Sequence, residues 1–343
     1  MQGYLKFKEN DEELYETTIY HKIQKRKEEQ TKHTKFTLSL VSFLIKIYLN
    51  FVVFIKKIFH IITVKEIYSG LIFILPFEKN HVSKHLKKCI QKLKKLMQKY
   101  EISTLVLSEE LQHNEEFLEK FQNNRELEKQ IHILNGKEMM PYLIREIIEY
   151  ILQKQGKTTQ LEDLYILVKK DDSRYKENIA LLVEHFKTIN IITPCLKSYQ
   201  KLANQLEERC NAMLTVTNNK KKSMRKAKWI VNFDMQEDEI KKYTIYRTAT
   251  ILYLKDGGIY EANAFDGLHI CKAGIDISEE LKDFFQKQYL INQCSITILY
   301  ESTIIQNKNI RAIKKQMEKD KVKISTLYGT RGPLAEAEYK KVE

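Results

Sequence analysis

Residues 164–173 read LYILVKKDDS, and the fold turns on this stretch. Leu164–Val168 is a continuous apolar run of strand length, and Asp171, Asp172 and Ser173 offer N-caps for a helix near 174–187. The alternation then repeats. Asn190–Thr193 (NIIT) is a short strand closed by Pro194, and a helix runs on to about Arg209. Ala212–Thr217 (AMLTVT) is a third strand, and a brief helical turn over Ser223–Ala227 leads to a fourth, Trp229–Phe233 (WIVNF). Strands without strict polar alternation, each followed by a helix, predict a parallel sheet covered on both faces.

The pattern extends in both directions. Upstream lie a strand at Leu71–Phe77 (LIFILPF), a basic helix over 81–100, a strand at Ser103–Ser108, an acidic helical stretch near 114–128 and a strand at Gln130–Leu134. A long helix follows, with Leu143, Ile144, Ile147, Ile148, Ile151 and Leu152 at i, i+3/i+4 spacing and Pro141 near its start. Downstream, Tyr243–Leu254 predicts a strand ending at Asp256-Gly257-Gly258. A helix near 278–289, a β-rich stretch near 294–304, a helix near 308–319 and a strand near 322–328 complete the chain.

With 343 residues, of which 43% are apolar, the chain is long enough for two domains and too apolar for wholesale disorder. Only 10 Gly and 4 Pro exclude collagen-like and Gly/Ser-linker architectures, and they remove the residue that phosphate-cradling loops need. Five cysteines (Cys89, Cys195, Cys210, Cys271 and Cys294), never in C-x-x-C, predict reduced thiols in a cytoplasm rather than a disulfide framework. No signal peptide opens the sequence.

The net charge of +13 is local in origin: residues 36–100 carry twelve Lys against Glu66 and Glu78. Phe36–Ile55 (FTLSLVSFLIKIYLNFVVFI) has the length of a membrane span. Against that, Ser39, Ser42, Lys46, Asn50, Lys57 and His60 draw a polar stripe at helical spacing. The stripe favours an amphipathic helix, either packed on the globular body or lying on a bilayer surface. Residues 81–100 place Val82, Leu86, Cys89, Ile90, Leu93, Leu96, Met97 and Tyr100 on one face, with seven Lys and no acid elsewhere. Basic amphipathic helices of this kind bind membranes or calmodulin-like partners, but a surface helix over a sheet has the same pattern and is the simpler reading.

Residues 162–234 resemble one half of a dinucleotide-binding Rossmann domain, and KKKSMRKAKWIVNFD resembles a segment of shikimate-dehydrogenase-like and amino-acid-dehydrogenase-like oxidoreductases. Residues 70–136 then resemble the preceding α/β lobe of such enzymes. The resemblance implies an NAD(P) fingerprint G-x-G-x-x-G after Leu164–Val168, where this chain has Lys169, Lys170, Asp171, Asp172, Ser173 and Arg174. The ribose-holding acid implied after the second strand is replaced by Thr193, Pro194 and Cys195. Ordinary NAD(P) binding is therefore disfavoured, and a degenerate scaffold without cofactor fits better.

Other motifs are weaker. Gly156-Lys157-Thr158 matches the end of a P-loop, but position 151 is Ile and the tripeptide follows a helix. No G-x-S-x-G elbow occurs. His81 and His85 at i, i+4 lack a third ligand, so no metal is expected. Gly329-Thr330-Arg331-Gly332 reads as a turn. Lys220, Lys221, Lys222 and Arg225, with Lys226 and Lys228, form a basic cluster near a helix N-terminus and are candidate anion-binding residues.

Open α/β sheets bind ligands at strand carboxyl ends. That rule nominates Lys170, Asp171, Asp172, Thr193, Thr217, Asn218, Asn219, Asn232 and Asp234 as ligand-binding residues. The expectation is an α/β protein with two Rossmann-like lobes and mostly parallel sheets behind a helical N-terminal appendage. The divisions are 1–68 for the appendage, with a membrane-associated helix at 36–60 left open, 69–155 for an α/β lobe and 156–343 for the Rossmann-like lobe with its extension. Three functional readings stay open. The leading one is a cytoplasmic, non-catalytic module binding a small molecule or protein, with no cofactor expected and NAD(P) the one left open. The second is an atypical oxidoreductase or transferase with its site at the strand ends. The third is a peripheral or anchored membrane protein held by residues 36–60, with an anionic membrane surface as a candidate partner. Nucleic-acid binding ranks last, since no docking motif appears.

Overall fold

The computed structural model describes residues 1–7, 35–67, 70–76, 86–122, 131–157, 163–210, 212–254, 265–288, 294–304 and 309–340; the side chains at 35–42, 44–46 and 237 lie outside it. The chain divides into two compact units, Met1–Leu134 with Phe284–Ser302, and Asn135–Asp283 with Thr303–Glu343.

The first unit carries a five-stranded sheet. Its strands are β1 (Gln2–Phe7), β2 (Thr63–Ile67), β3 (Gly70–Leu75), β4 (Thr104–Leu107) and β5 (His132–Leu134), in the order β2-β3-β1-β4-β5. All neighbours are parallel except the antiparallel β2–β3 pair. Helix α1 (Lys35–Ile58) lies in the chain between β1 and β2. Helix α2 (Leu86–Lys99) buries Leu86, Cys89, Ile90, Leu93 and Met97, the stripe expected from its periodicity, in one core with Leu5, Phe73 and Leu105 of the sheet. Helices α3 (Glu109–Gln112) and α4 (Glu115–Gln122) follow β4, and Leu111, Phe117 and Phe121 join the same core. Residues 1–68 are thus not only a helical appendage: Gln2–Phe7 is the central strand of this sheet and Thr63–Ile67 its edge.

The second unit opens with α5 (Met140–Lys154), entered through a 3-10 turn at Lys137–Met139. Its main sheet contains β6 (Leu164–Leu167), β7 (Thr188–Ile192), β8 (Met213–Thr217), β9 (Trp229–Asn232), β10 (Thr250–Tyr253) and β11 (Leu268–Ile270). The connecting helices include α6 (Ser173–Val183), α7 (Leu196–Glu207), α8 (Lys220–Met224) and α9 (Glu237–Ile240). The order β8-β7-β6-β9-β10-β11, with every pair parallel, is the 3-2-1-4-5-6 order of a Rossmann fold. Leu164, Ile166 and Leu167 of β6 are fully buried, which is why β6 reads as an unbroken apolar run; Ile189, Ile191 and Ile192 of β7 are equally buried, with the half-buried Thr188 and Asn190 between them.

A second, antiparallel sheet joins β12 (Lys272–Asp276), β13 (Lys323–Gly329) and β14 (Gly332–Pro333). The remaining helices are α10 (Glu279–Lys287), α11 (Ile296–Ile304), α12 (Ile310–Lys319) and α13 (Glu336–Tyr339).

Two local expectations are corrected. The stretch near 294–304 forms helix α11, not strand. Ile298, Leu299, Tyr300, Glu301 and Ser302 are all buried, so burial on every side erases the helical period and leaves only a misleading β-branched composition. Within Tyr243–Leu254, strand is confined to Thr250–Tyr253 because the preceding residues turn: Tyr246 N–H donates to Met224 O and Ala249 N–H to Tyr246 O.

Candidate functional site

In a sheet of this order the direction of winding reverses between β6 and β9, and the crevice at their carboxyl ends is where Rossmann proteins bind phosphate. The chain leaves β6 through Val168 and enters α6 after Lys169–Asp172, while β9 runs out through Phe233 to Asp234. Register sets these ends side by side, with Leu167 paired to Asn232 and Phe233 N–H donating to Leu167 O at 2.9 Å.

Asp234 closes the turn. Its Oδ1 accepts the backbone N–H of Lys169 at 2.6 Å, and its Oδ2 accepts that of Lys170 at 3.1 Å. The carbonyls of the same two residues are also used. Cys195 Sγ donates to Lys169 O at 3.3 Å, and Tyr199 Oη donates to Lys170 O at 2.8 Å. Four backbone groups of one dipeptide are thus held by side chains from the turn after β9 (Asp234), from the β7–α7 connection (Cys195) and from α7 (Tyr199). Tyr199 is fully buried, and burial pushes its hydroxyl well above the usual tyrosine range, so it stays a donor.

Most other strand-end candidates also serve the backbone nearby. Asp172 caps α6 by accepting Arg174 N–H at 2.8 Å. Thr193, fully buried, accepts Cys195 N–H at 3.0 Å. Thr217 Oγ1 accepts Asn219 N–H at 3.0 Å, and Asn219 Oδ1 accepts Lys222 N–H at 3.2 Å as the cap of α8. The buried Asn232 side chain bonds both the N–H and the C=O of Met235, at 2.9 and 3.0 Å. Lys170, Asp171, Asp172, Asn232 and Asp234 gather at the β6–β9 crevice, and Thr193 stands one strand further, at the end of β7. Thr217, Asn218 and Asn219 lie at the end of β8, the sheet edge, and Asn218 O accepts Lys220 N–H at 2.9 Å.

Several charges around the crevice pair internally. Lys169 Nζ lies 2.9 Å from Glu239, and that hydrogen bond holds the Glu239 carboxyl below the usual range. Hydrogen bonds from Lys176 and Ser198 do the same for Asp171. Sequence reading nominated Asp234 but not Tyr199, Lys176 or Glu239. The available signal was weak: an acid straight after an apolar strand at the winding reversal.

In the basic cluster, Asn219 caps the five-residue α8 and Lys220 Nζ stands 5.8 Å from the centre of the Tyr243 ring. Gly156 is a helix stop, not part of a P-loop. At φ 68° it donates to Gln153 O while Lys157 N–H donates to Leu152 O, the paired bonds of a Schellman motif ending α5. Gly329 pairs with Gly332 in the β13–β14 hairpin. His81 and His85 lie outside the described residues, and among those described no group of three or more His, Cys, Asp or Glu could hold a metal ion. Among the described residues no helix is long and apolar enough to cross a membrane.

The β6–α6 turn does not fit a dinucleotide pyrophosphate. The amides that would donate to it already donate to Asp234, and lysines stand where glycines let a phosphate approach. No protein-family model and no curated protein matches the chain. Solved structures that align with it include L-tryptophan dehydrogenase from Nostoc punctiforme, at 8% identity over 73% of this chain and 76% of that one, with a TM-score of 0.29. Shikimate 5-dehydrogenase from Listeria monocytogenes, in complex with shikimate and NAD, aligns at 11% identity over 72% and 86%, with a TM-score of 0.27. A putative aspartate carbamoyltransferase from Trypanosoma cruzi aligns at 14% over 57% and 65%, with a TM-score of 0.27. Likeness at this level carries no argument about activity; the Rossmann-like fold of the second unit rests on its strand order and pairing.

Proposed function

We propose that the second unit is a Rossmann-like module that works without NAD(P), as a non-catalytic scaffold for a small molecule or protein partner. The observation that carries this reading is the closed Lys169–Lys170 turn, whose two amides and two carbonyls are taken by Asp234, Cys195 and Tyr199. A pyrophosphate would have to displace a carboxylate from two charge-assisted hydrogen bonds, with Asp171 and Asp172 beside it. An oxidoreductase or transferase site at the strand ends has less support, because Asp172, Thr193, Thr217, Asn219 and Asn232 are engaged in caps and turns.

The test is thermal unfolding of the full chain with NAD(H) and NADP(H). A ligand at 100 times its dissociation constant stabilises its protein by about 2.7 kcal/mol. No shift is expected with any of the four. A saturable upward shift would overturn the reading and call for an enzyme assay.

A further inference from the structure

The most unusual surface of the first unit belongs to α1. Phe43, Ile47, Phe51, Phe54 and Ile58 recur at i, i+4, i+8, i+11 and i+15, and each is between 50% and 62% exposed. Tyr48 flanks this stripe at 65%, and Phe59 continues it past the helix end at 58%. The stripe runs about 22 Å at 1.5 Å per residue. Scattered exposed apolar residues are ordinary, but a continuous apolar row marks a surface that meets something.

The charge beside the stripe indicates what that is. Lys88, Lys92, Lys95 and Lys99 of α2 share one flank of that helix, at i, i+4, i+7 and i+11. Lys92 Nζ donates to the Phe59 carbonyl, so this basic row meets the apolar row at the end of α1. Helix α2 contains no acidic residue. The acidic α4 also packs in the same core, so the basic character belongs to the lysine row and not to the unit as a whole.

We infer that α1 and the lysine row of α2 form a docking surface for an anionic lipid bilayer, with α1 lying in the plane of the interface. Phenylalanine and isoleucine supply the apolar face, and lysines meet the headgroups at its border. The opposite flank of α1 is occupied by protein: Val53 is buried and Lys56 Nζ donates to Thr63 Oγ1 of β2 at 3.0 Å. Among the described residues from Ile47 onward, one side of the helix is open and the other is held by protein, so the geometry favours an interfacial helix over a spanning one. The inference concerns the first unit and is independent of the reading of the second.

The test is co-sedimentation of the full chain with vesicles of phosphatidylcholine alone and with phosphatidylglycerol added. Binding to the anionic vesicles should exceed binding to the neutral ones by at least about tenfold and fall with added salt. Phe51→Glu with Phe54→Glu should reduce it about tenfold or more. Lys88→Glu, Lys95→Glu and Lys99→Glu together should remove the anionic preference. All five positions are exposed, and unchanged far-ultraviolet circular dichroism checks folding. Equal binding to both vesicle types, no binding to either, resistance to alkaline carbonate extraction, or a dimer dispersed by the two glutamates would each overturn the inference.

Discussion

Replacing Asp234 by alanine removes the one acceptor shared by the amides of Lys169 and Lys170, at 2.6 and 3.1 Å. A hydrogen bond to a charged group contributes about 1.5–3 kcal/mol when sheltered. This turn is partly open to solvent, so water replaces some of that, and the expected loss is about 1–3 kcal/mol in all. Urea unfolding followed by tryptophan fluorescence reads this directly. Trp229 is the only tryptophan, and it is buried in β9, five residues before Asp234. With a slope of about 1–3 kcal/mol per molar urea, the midpoint should drop by roughly 1 M. Asp234→Asn keeps one acceptor oxygen and should lose about half as much. An alanine variant within about 0.5 kcal/mol of the parent would refute the reasoning, since the carboxylate would then contribute no more than an ordinary surface group.

Asp172→Ala should cost about 1 kcal/mol through the lost cap of α6, whereas Asp171→Ala should leave the urea midpoint nearly unchanged because its pairing with Lys176 is at the surface. Equal costs in the urea titration would contradict that division. Gly70→Ala should destabilise by about 2 kcal/mol or more, since φ is +154° and a Cβ would lie 2.4 Å from Gln2 O in the central strand; circular dichroism melting checks it. His269 supplies a pH dependence. Burial pushes its imidazole down to about 4, beside the Tyr253 hydroxyl at 3.1 Å. The unfolded chain takes up the proton below about pH 6.5 and the folded chain only near 4, so stability should be full above that window and fall as pH drops through it, by about 3 kcal/mol at most. His269→Gln should flatten the slope of urea midpoint against pH; an unchanged slope assigns it elsewhere.

How much of this was legible in the sequence follows from where each element finds its partners. The β6 and β9 segments announce themselves because central parallel strands are mostly apolar, β7 shows only in its second half because Thr188 and Asn190 interrupt it, and α2 and α5 keep clean helical periods. Gln2–Phe7 could not be placed. It is a six-residue segment whose neighbours, β3 and β4, begin more than sixty residues away, and nothing local distinguishes it from an extended tail. Ile296–Ile304 misled because uniform burial removes amphipathicity. In the crevice, the missing glycines were visible, but what replaces them was not. The bonds from Asp234 to Lys169 and Lys170 join residues 65 and 64 positions apart, and only the sheet order brings them together. Most polar strand ends turned out to cap their own turns, a role that single-residue reading cannot separate from ligand binding.

The account of the second unit stands on the closed state of the β6–α6 turn, and amide hydrogen exchange over residues 165–176 tests it most directly. The amides of Lys169 and Lys170 should exchange slowly in the protein alone, be unchanged by saturating NADH, and exchange faster in Asp234→Ala. Fast exchange in the protein alone, slowed when NADH is added, would mean that the turn is open and holds phosphate after all.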